Sequence, residues 1–303
     1  MTYNILLYYK FVTINDPETL VQEHQALCDA LNLRGRIFIG QEGINGTVSG
    51  LVDDTNAYQK ALREHPIFAG ITFKVDEASA HAFKKMHVRN KKEIVRLELD
   101  EAPDPTILTA PSLKPKAFYE MMQQDNVVIL DTRNQYEYDI GRFKGAINPG
   151  IENFRELPIW LKAHQDELKD KTILTYCTGG IRCEKLTGWM MEQGFKDVYQ
   201  LDGGIITYGQ DAQTAGIDWE GQCYVFDERL NVPINQVNPS IVGRDFFDGT
   251  PCERFINCAN PECNRKMLCS VENEIKHQGS CSEACRNHPH NRYIHPNNEK
   301  TAH

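Results

Sequence analysis

The run Tyr176-Cys177-Thr178-Gly179-Gly180-Ile181-Arg182-Cys183 follows an apolar, β-rich stretch, Thr172 to Tyr176, and leads into a helical pattern. A cysteine at the carboxyl end of a buried strand, turned by two glycines into a helix, meets backbone N–H groups and a helix N-terminus, and both stabilise an anion. The sequence therefore predicts a Cys177 thiolate at neutral pH, hence a nucleophile. The plain alternative for a lone cysteine is a small buried hydrophobe ending a strand; the Gly-Gly turn and Arg182 argue against it. Cys183 reads equally as a resolving thiol for an oxidised or persulfidated Cys177 and as a core-facing side chain of the first helical turn. Asp131 and Arg133 close another apolar strand. Their expected role is scaffolding, with Arg133 paired to a carboxylate such as Glu137 to brace the loop.

Two further groups carry chemistry. Lys84, Lys85, Arg89, Lys91, Lys92 and Arg96 surround the apolar Met86, Val88, Ile94 and Val95, so a strand or hairpin here shows a basic face. The net charge of -9 excludes bulk attraction to nucleic acid, and RNA would have to be held by such a local patch. A solvated strand face is the bland reading. Farther on, Cys258-x4-Cys263 and Cys281-x3-Cys285 offer four thiolates at spacings suited to one tetrahedral, structural zinc, with Cys269, His277 and His288 nearby. No dinucleotide fingerprint and no His/carboxylate run at iron-ligand spacing is present, so no cofactor is evident.

The elements that position these residues follow from composition and pattern. A chain of 303 residues exceeds one typical core and reads as two or three domains. Of its 10 cysteines, six crowd between Cys252 and Cys285. With no secretion signal and no apolar run of membrane length, thiol or metal chemistry is expected over disulfides, in a cytoplasmic protein without a membrane partner. Residues 1–96 run β-α-β-β-α-β, the split βαβ plait of ferredoxin-like folds, with the basic segment appended. Residues 97–112, with Pro103, Pro105 and Pro111, read as a linker. From 113 to 216, apolar strands alternate with helices, which specifies a parallel sheet covered on both faces. Residues 217–303 read as a small Cys-rich module whose end, from Asn287 on, looks frayed.

Three segments, DTRNQYEYDIGRFKGAINPG (131–150), YCTGGIRCEK (176–185) and LDGGIITYG (201–209), resemble a rhodanese homology domain. In that family Asp131, Arg133 and Glu137 match the first signature and Cys177 the persulfide-forming cysteine. The phosphatase relatives of the fold need a longer loop, with arginine one place further on, where this chain has Cys183. Together with GINGTVSG in an acylphosphatase-like first domain and the Cys-rich tail, residues 3 to about 285 are similar to the bacterial rhodanese-fold tRNA uridine hydroxylases. That resemblance implies an oxidoreductase converting the wobble uridine of tRNA to 5-hydroxyuridine, with dioxygen as co-substrate, the anticodon loop as partner and an electron donor it does not identify. The thiolate would add at uracil C6, with Arg182 and the loop amides as donors to O4. The tail departs from the family pattern: VNPSIV (237–242) and SVEN (270–273) stand where further cysteine pairs are expected. Two alternatives use the same residues otherwise, a thiosulfate or persulfide sulfurtransferase loading Cys177 and a non-catalytic RNA- or protein-binding adaptor. A fused first domain and a basic segment serve RNA and have no evident use in moving sulfur.

Overall fold

The computed structural model describes residues 2–295, so the last part of the segment expected to fray, 296–303, lies outside the described residues. The first domain follows the expected order: β1 (Tyr3–Phe11), α1 (Pro17–Ala30), β2 (Arg34–Gly40), β3 (Gly43–Leu51), α2 (Val52–Glu64) and β4 (Phe73–Ala78). Asp16 starts α1 by accepting from the Thr19 amide at 3.1 Å, with Pro17 in the first turn. Leu20, His24 and Cys28 then face the core. The basic segment forms β5 (Met86–Asn90), which pairs parallel with β2 and gives the sheet order β4-β1-β3-β2-β5. Arg89 on this edge strand, with Lys84, Lys85, Lys91 and Lys92 flanking it, also discourages edge-to-edge aggregation.

The second domain comprises β6 (Ser112–Leu113), α3 (Pro115–Met122), β7 (Val127–Asp131), α4 (Gln135–Ile140), β8 (Gly141–Phe143), α5 (Leu157–Ala163), α6 (Gln165–Leu168), β9 (Thr172–Tyr176), α7 (Ile181–Glu192), β10 (Asp197–Leu201) and α8 (Gly204–Gln210). Its sheet is parallel in the order β6-β10-β9-β7. Side chains of β9 alternate: Ile173 packs with Leu157, Leu161, Leu186 and Trp189 on one face, while Leu174 and Tyr176 pack with Phe118, Ile205 and Trp219 on the other.

The expected linker is laid against α7. Leu97 and Ala110 are buried with Leu186, and the Ala110 amide donates to Thr187 Oγ1 at 3.1 Å. Gly188 makes room for it, since a Cβ there would lie 2.2 Å from the Leu108 carbonyl oxygen. A similar merger occurs after residue 216. There β11 (Trp219–Tyr224) pairs antiparallel with β8, which buries Trp219 and Cys223 in the second domain's core. The chain continues through β12 (Asn231–Pro233), the hairpin β13 (Phe255–Asn257) and β14 (Lys266–Leu268), α9 (Val271–His277) and α10 (Glu283–Arg286). Residues 287–295 are tied down rather than frayed. Asn291 is fully buried and donates to Ser280 Oγ at 2.8 Å, and Arg292 donates to the Cys258 carbonyl at 3.0 Å.

The first two domains are fastened beside the cysteine loop. Lys185 of α7, 4% exposed, reaches Glu42 and Glu93 of the first domain, each at 2.7 Å. Tyr9 of β1 donates to Glu184 at 2.6 Å. Among the described residues no helix is long and apolar enough to cross a membrane.

Candidate active site

β9 ends at Tyr176 and hands Cys177 to a loop that closes at Gly180, whose φ of +103° lies in the left-handed region that favours glycine. A Cβ on Gly180 would also come within 2.9 Å of Tyr9 Oη. The Gly180 amide donates to Cys177 Sγ at 3.1 Å, and α7 starts one residue later. Burial alone pushes the Cys177 thiol up, but the Cys183 thiol, the Arg182 guanidinium and the amides at the start of α7 hold it well below the usual thiol range. That balance favours the thiolate form of Cys177. Cys183 moves the other way, pushed up by burial and by Cys177 beside it, which favours its protonated form. It is core-facing, with Thr132 Oγ1 at 3.5 Å.

The bracing pairs differ from the expected one. Arg133 forks onto Asp131 (2.9 and 2.6 Å) and also donates to the Gly141 carbonyl, while Tyr176 Oη donates to Asp131 at 2.6 Å. The Arg133 guanidinium lies 5.1 Å from the Trp219 ring centroid, turned toward β11, whereas Glu137, one turn into α4, faces α7. Glu137 accepts both Arg182 Nη atoms at 2.7 and 2.8 Å, fully buried. Burial raises the Glu137 carboxyl, but the Arg182 charge outweighs it and holds the group ionised. Arg182 is thus committed to a bidentate pair and is not the free donor to an O4 oxyanion that the sequence suggested.

Above Cys177 lies a cavity of about 460 Å³, roofed by the first domain. Tyr9, Arg36 and Phe38 line it from the sheet, Arg155 and Asn134 from the second domain, and Phe226, 46% exposed, from the loop after β11. Of the six basic residues singled out in the sequence, Lys91 and Arg96 reach this cleft; Lys84, Lys85, Arg89 and Lys92 do not line it. Lys84 pairs instead with Glu228 at 3.8 Å, and Arg96 also contacts Glu98. Sequence reasoning missed Tyr9, Arg36, Phe38, Asn134, Arg155 and Phe226. The i, i+2 spacing of Arg36 and Phe38 could have placed them on one face of β2, without indicating which face met the second domain.

In the C-terminal part, the sulfurs of Cys258, Cys263, Cys281 and Cys285 all lie within 4.8 Å of one another. Cys281 is 3.6 Å from Cys263 and 3.7 Å from Cys285, close to the roughly 3.8 Å between sulfurs that a Zn–S bond of about 2.3 Å gives in a tetrahedron. The donor set fits a zinc-type metal. The three neighbours considered as further ligands stand apart: Cys269 donates to the Ser270 carbonyl, His277 stacks on Phe247 at 3.7 Å, and His288 faces Glu262 at 3.5 Å.

A buried cysteine on a parallel-sheet loop, roofed by the first domain and followed by a cysteine cluster, defines a rhodanese-type protein of composite build. Family models match accordingly: the UPF0176 acylphosphatase-like domain over residues 3–94, the rhodanese-like domain over 114–210 and the rhodanase C-terminal region over 220–286. The chain is 55% identical over 292 residues to the tRNA uridine(34) hydroxylase of Bacillus velezensis, covering 96% of this chain and 91% of that protein. It is 56% identical to the protein of that name from Bacillus cytotoxicus, covering 96% and 90%, and 55% identical to that of Shouchella clausii, covering 96% and 91%. The chain belongs to the tRNA uridine(34) hydroxylase family.

Proposed function

We propose that this chain hydroxylates C5 of uridine 34 in tRNA, using Cys177 as nucleophile and dioxygen as co-substrate in the cytoplasm. The name of its relatives supports the reading. The observation that carries it is the roofed cleft, where aromatic faces and cations surround a thiolate. A wobble base splayed from the anticodon loop stacks on aromatic rings and brings its phosphates to cations. Phe38 and Phe226 supply the rings; Arg36, Lys91, Arg96 and Arg155 supply the charge. A carrier of sulfane sulfur has no need of either.

The thiolate adds at C6 and sends the electron pair toward C5 and O4, with loop amides and Arg36 as donors to the O4 oxyanion. Nucleophilic C5 takes one oxygen atom of dioxygen. The other leaves as water, with two electrons from an external donor and two protons. Loss of the C5 proton then expels Cys177 and restores the C5–C6 double bond. Tyr9, backed by a Glu184 carboxyl that burial holds above the usual carboxylate range, stands in the cleft to pass that proton on. Asn134 lines the cleft, and its side-chain amide is suited to the N3–H and carbonyl edge of uracil. Cys258, Cys263, Cys281 and Cys285 hold one structural zinc in this reading. Nucleoside mass spectrometry on tRNA from a deletion strain complemented with the wild type or Cys177→Ala tests the proposal. Restoration of 5-hydroxyuridine by the wild type alone is the expected result, and unchanged levels in the deletion strain would sink it.

A further inference from the structure

A second and larger hollow, of about 1020 Å³, opens between α4 and the β13–β14 hairpin. Arg142, Arg244, Arg265 and Lys266 line it. None of the four lies within salt-bridge distance of a carboxylate among the described residues. Against them the groove sets two carboxylates, Asp139 and Glu152, and Asp139 is already engaged by Gln135 at 2.6 Å. In a chain of net charge -9, a local excess of unpaired cations needs an anionic ligand to explain it.

Two of these cations are held against aromatic rings. The Lys266 ammonium sits 4.5 Å from the centroids of both Tyr136 and Tyr224. The Arg265 guanidinium lies 5.9 Å from the centroid of Phe246, a ring left 45% exposed. Both basic residues spring from the hairpin whose turn contains Cys258 and Cys263, and the Cys258 amide donates to the Arg265 carbonyl at 2.7 Å. The cysteine cluster therefore sets the position of the cationic wall.

The groove adjoins the Cys177 cleft. Asn153 lines both, and Phe226 on the cleft rim has the Lys266 ammonium 5.9 Å from its ring centroid. We propose that this groove binds the ribose-phosphate backbone of the same RNA whose uridine enters the cleft, gripping the nucleotides that flank the target. The inference rests on the functional reading above, because adjacency to the cleft is what favours an RNA strand over an acidic peptide.

Full-length protein carrying Arg244→Glu, Arg265→Glu or both tests it by fluorescence anisotropy against an anticodon stem-loop RNA at several salt concentrations. Both side chains are exposed, and the rate of Cys177 alkylation by iodoacetamide reports that the fold and cleft are intact. The expected result is stem-loop affinity down at least about tenfold in the double variant, and a log–log salt slope shallower by about one for each phosphate no longer neutralised, with alkylation unchanged. Wild-type affinity and slope in the double variant would overturn the proposal. So would variants that keep RNA but lose a polyglutamate peptide that the wild type binds, which would make the groove a protein-docking surface. If the wild type binds the stem-loop through these arginines yet forms no 5-hydroxyuridine, the groove stands and the hydroxylase reading falls.

Discussion

Around Cys177 the protein alone holds a sulfur anion: a backbone amide at 3.1 Å, the neighbouring thiol of Cys183 and a guanidinium itself fixed by Glu137. Around Cys258, Cys263, Cys281 and Cys285, four sulfurs converge with few donors, chiefly the Cys281 amide to Cys258 and Asn260 Nδ2 to Cys285, both at 3.5 Å. The first site lies over a packed sheet; the second sits in a part of the chain with short strands and two short helices. One thiolate can be stabilised by dipoles and a single cation, and it stays free to react. Four thiolates repel one another unless a metal neutralises them, and they are then spent on structure.

The sharpest break of that comparison exchanges one sulfur at each site. Cys177→Ala should abolish 5-hydroxyuridine formation while leaving the unfolding midpoint near the wild-type value. Cys281→Ser should do the reverse at the chemical level, lowering the midpoint while Cys177 still reacts with iodoacetamide at the wild-type rate. Residual hydroxylation by Cys177→Ala would remove the nucleophile from the mechanism. Metal removal asks the same question without mutation. Elemental analysis of protein purified under reducing conditions should find one zinc per chain, and a chelator should open the segment from Cys252 to Cys285 to protease. A metal-free, protease-resistant tail would mean that the sulfurs pack without an ion.

Next in size is Glu137→Gln. It strands the Arg182 guanidinium in a buried position, and breaking a buried pair costs about 3–5 kcal/mol. Urea unfolding should show a loss of that order, with a slower Cys177 alkylation because Arg182 is no longer held. A loss below about 1 kcal/mol would mean that Arg182 finds water and that the loop does not depend on the pair. Smaller still is the effect of Phe226→Ala at the cleft rim. It should raise KM for the RNA substrate about fivefold and leave kcat nearly unchanged, as expected for a rim stacking face at the low end of about 1–3 kcal/mol per base. An unchanged KM would take Phe226 out of substrate binding.

The Cys177 loop was legible in the sequence because its determinants are local: an apolar strand, two glycines and a helix start occupy adjacent positions. The plait and the parallel sheet were legible for the same reason, through periodicity. The roof of the cleft was not. Tyr9 meets Glu184 across 175 positions of sequence, and no periodicity says which strand face docks on another domain. Pairing among buried charges was equally opaque. Arg133 had two carboxylates within reach in sequence, and the turn after β7 gave it Asp131 while α4 carried Glu137 round to Arg182. The four sulfurs that meet are the four the spacing singled out, and the hairpin's geometry explains why Cys269 stands apart from them.

Cys183 offers the finest test of how a thiolate is held without metal. With the Cys177 pKa depressed, its thiolate survives as pH falls, so wild-type alkylation should stay nearly level from about pH 8 to about pH 6, where an ordinary thiol slows about tenfold per unit. The linked stability has the matching sign: it is fully present above the unfolded thiol's pKa and is lost as pH falls through the folded value. Cys183→Ala removes the neighbouring thiol that helps hold the Cys177 thiol low but leaves the burial cost, so the Cys177 pKa should rise. Alkylation of the variant at about pH 6 should fall about tenfold and rejoin the wild type at alkaline pH; Cys183→Ser, which restores a donor, should recover most of the loss. If Cys183 acts only as a resolving thiol, both variants would keep the wild-type alkylation profile, and the defect would show instead as Cys177 failing to form an internal disulfide under peroxide.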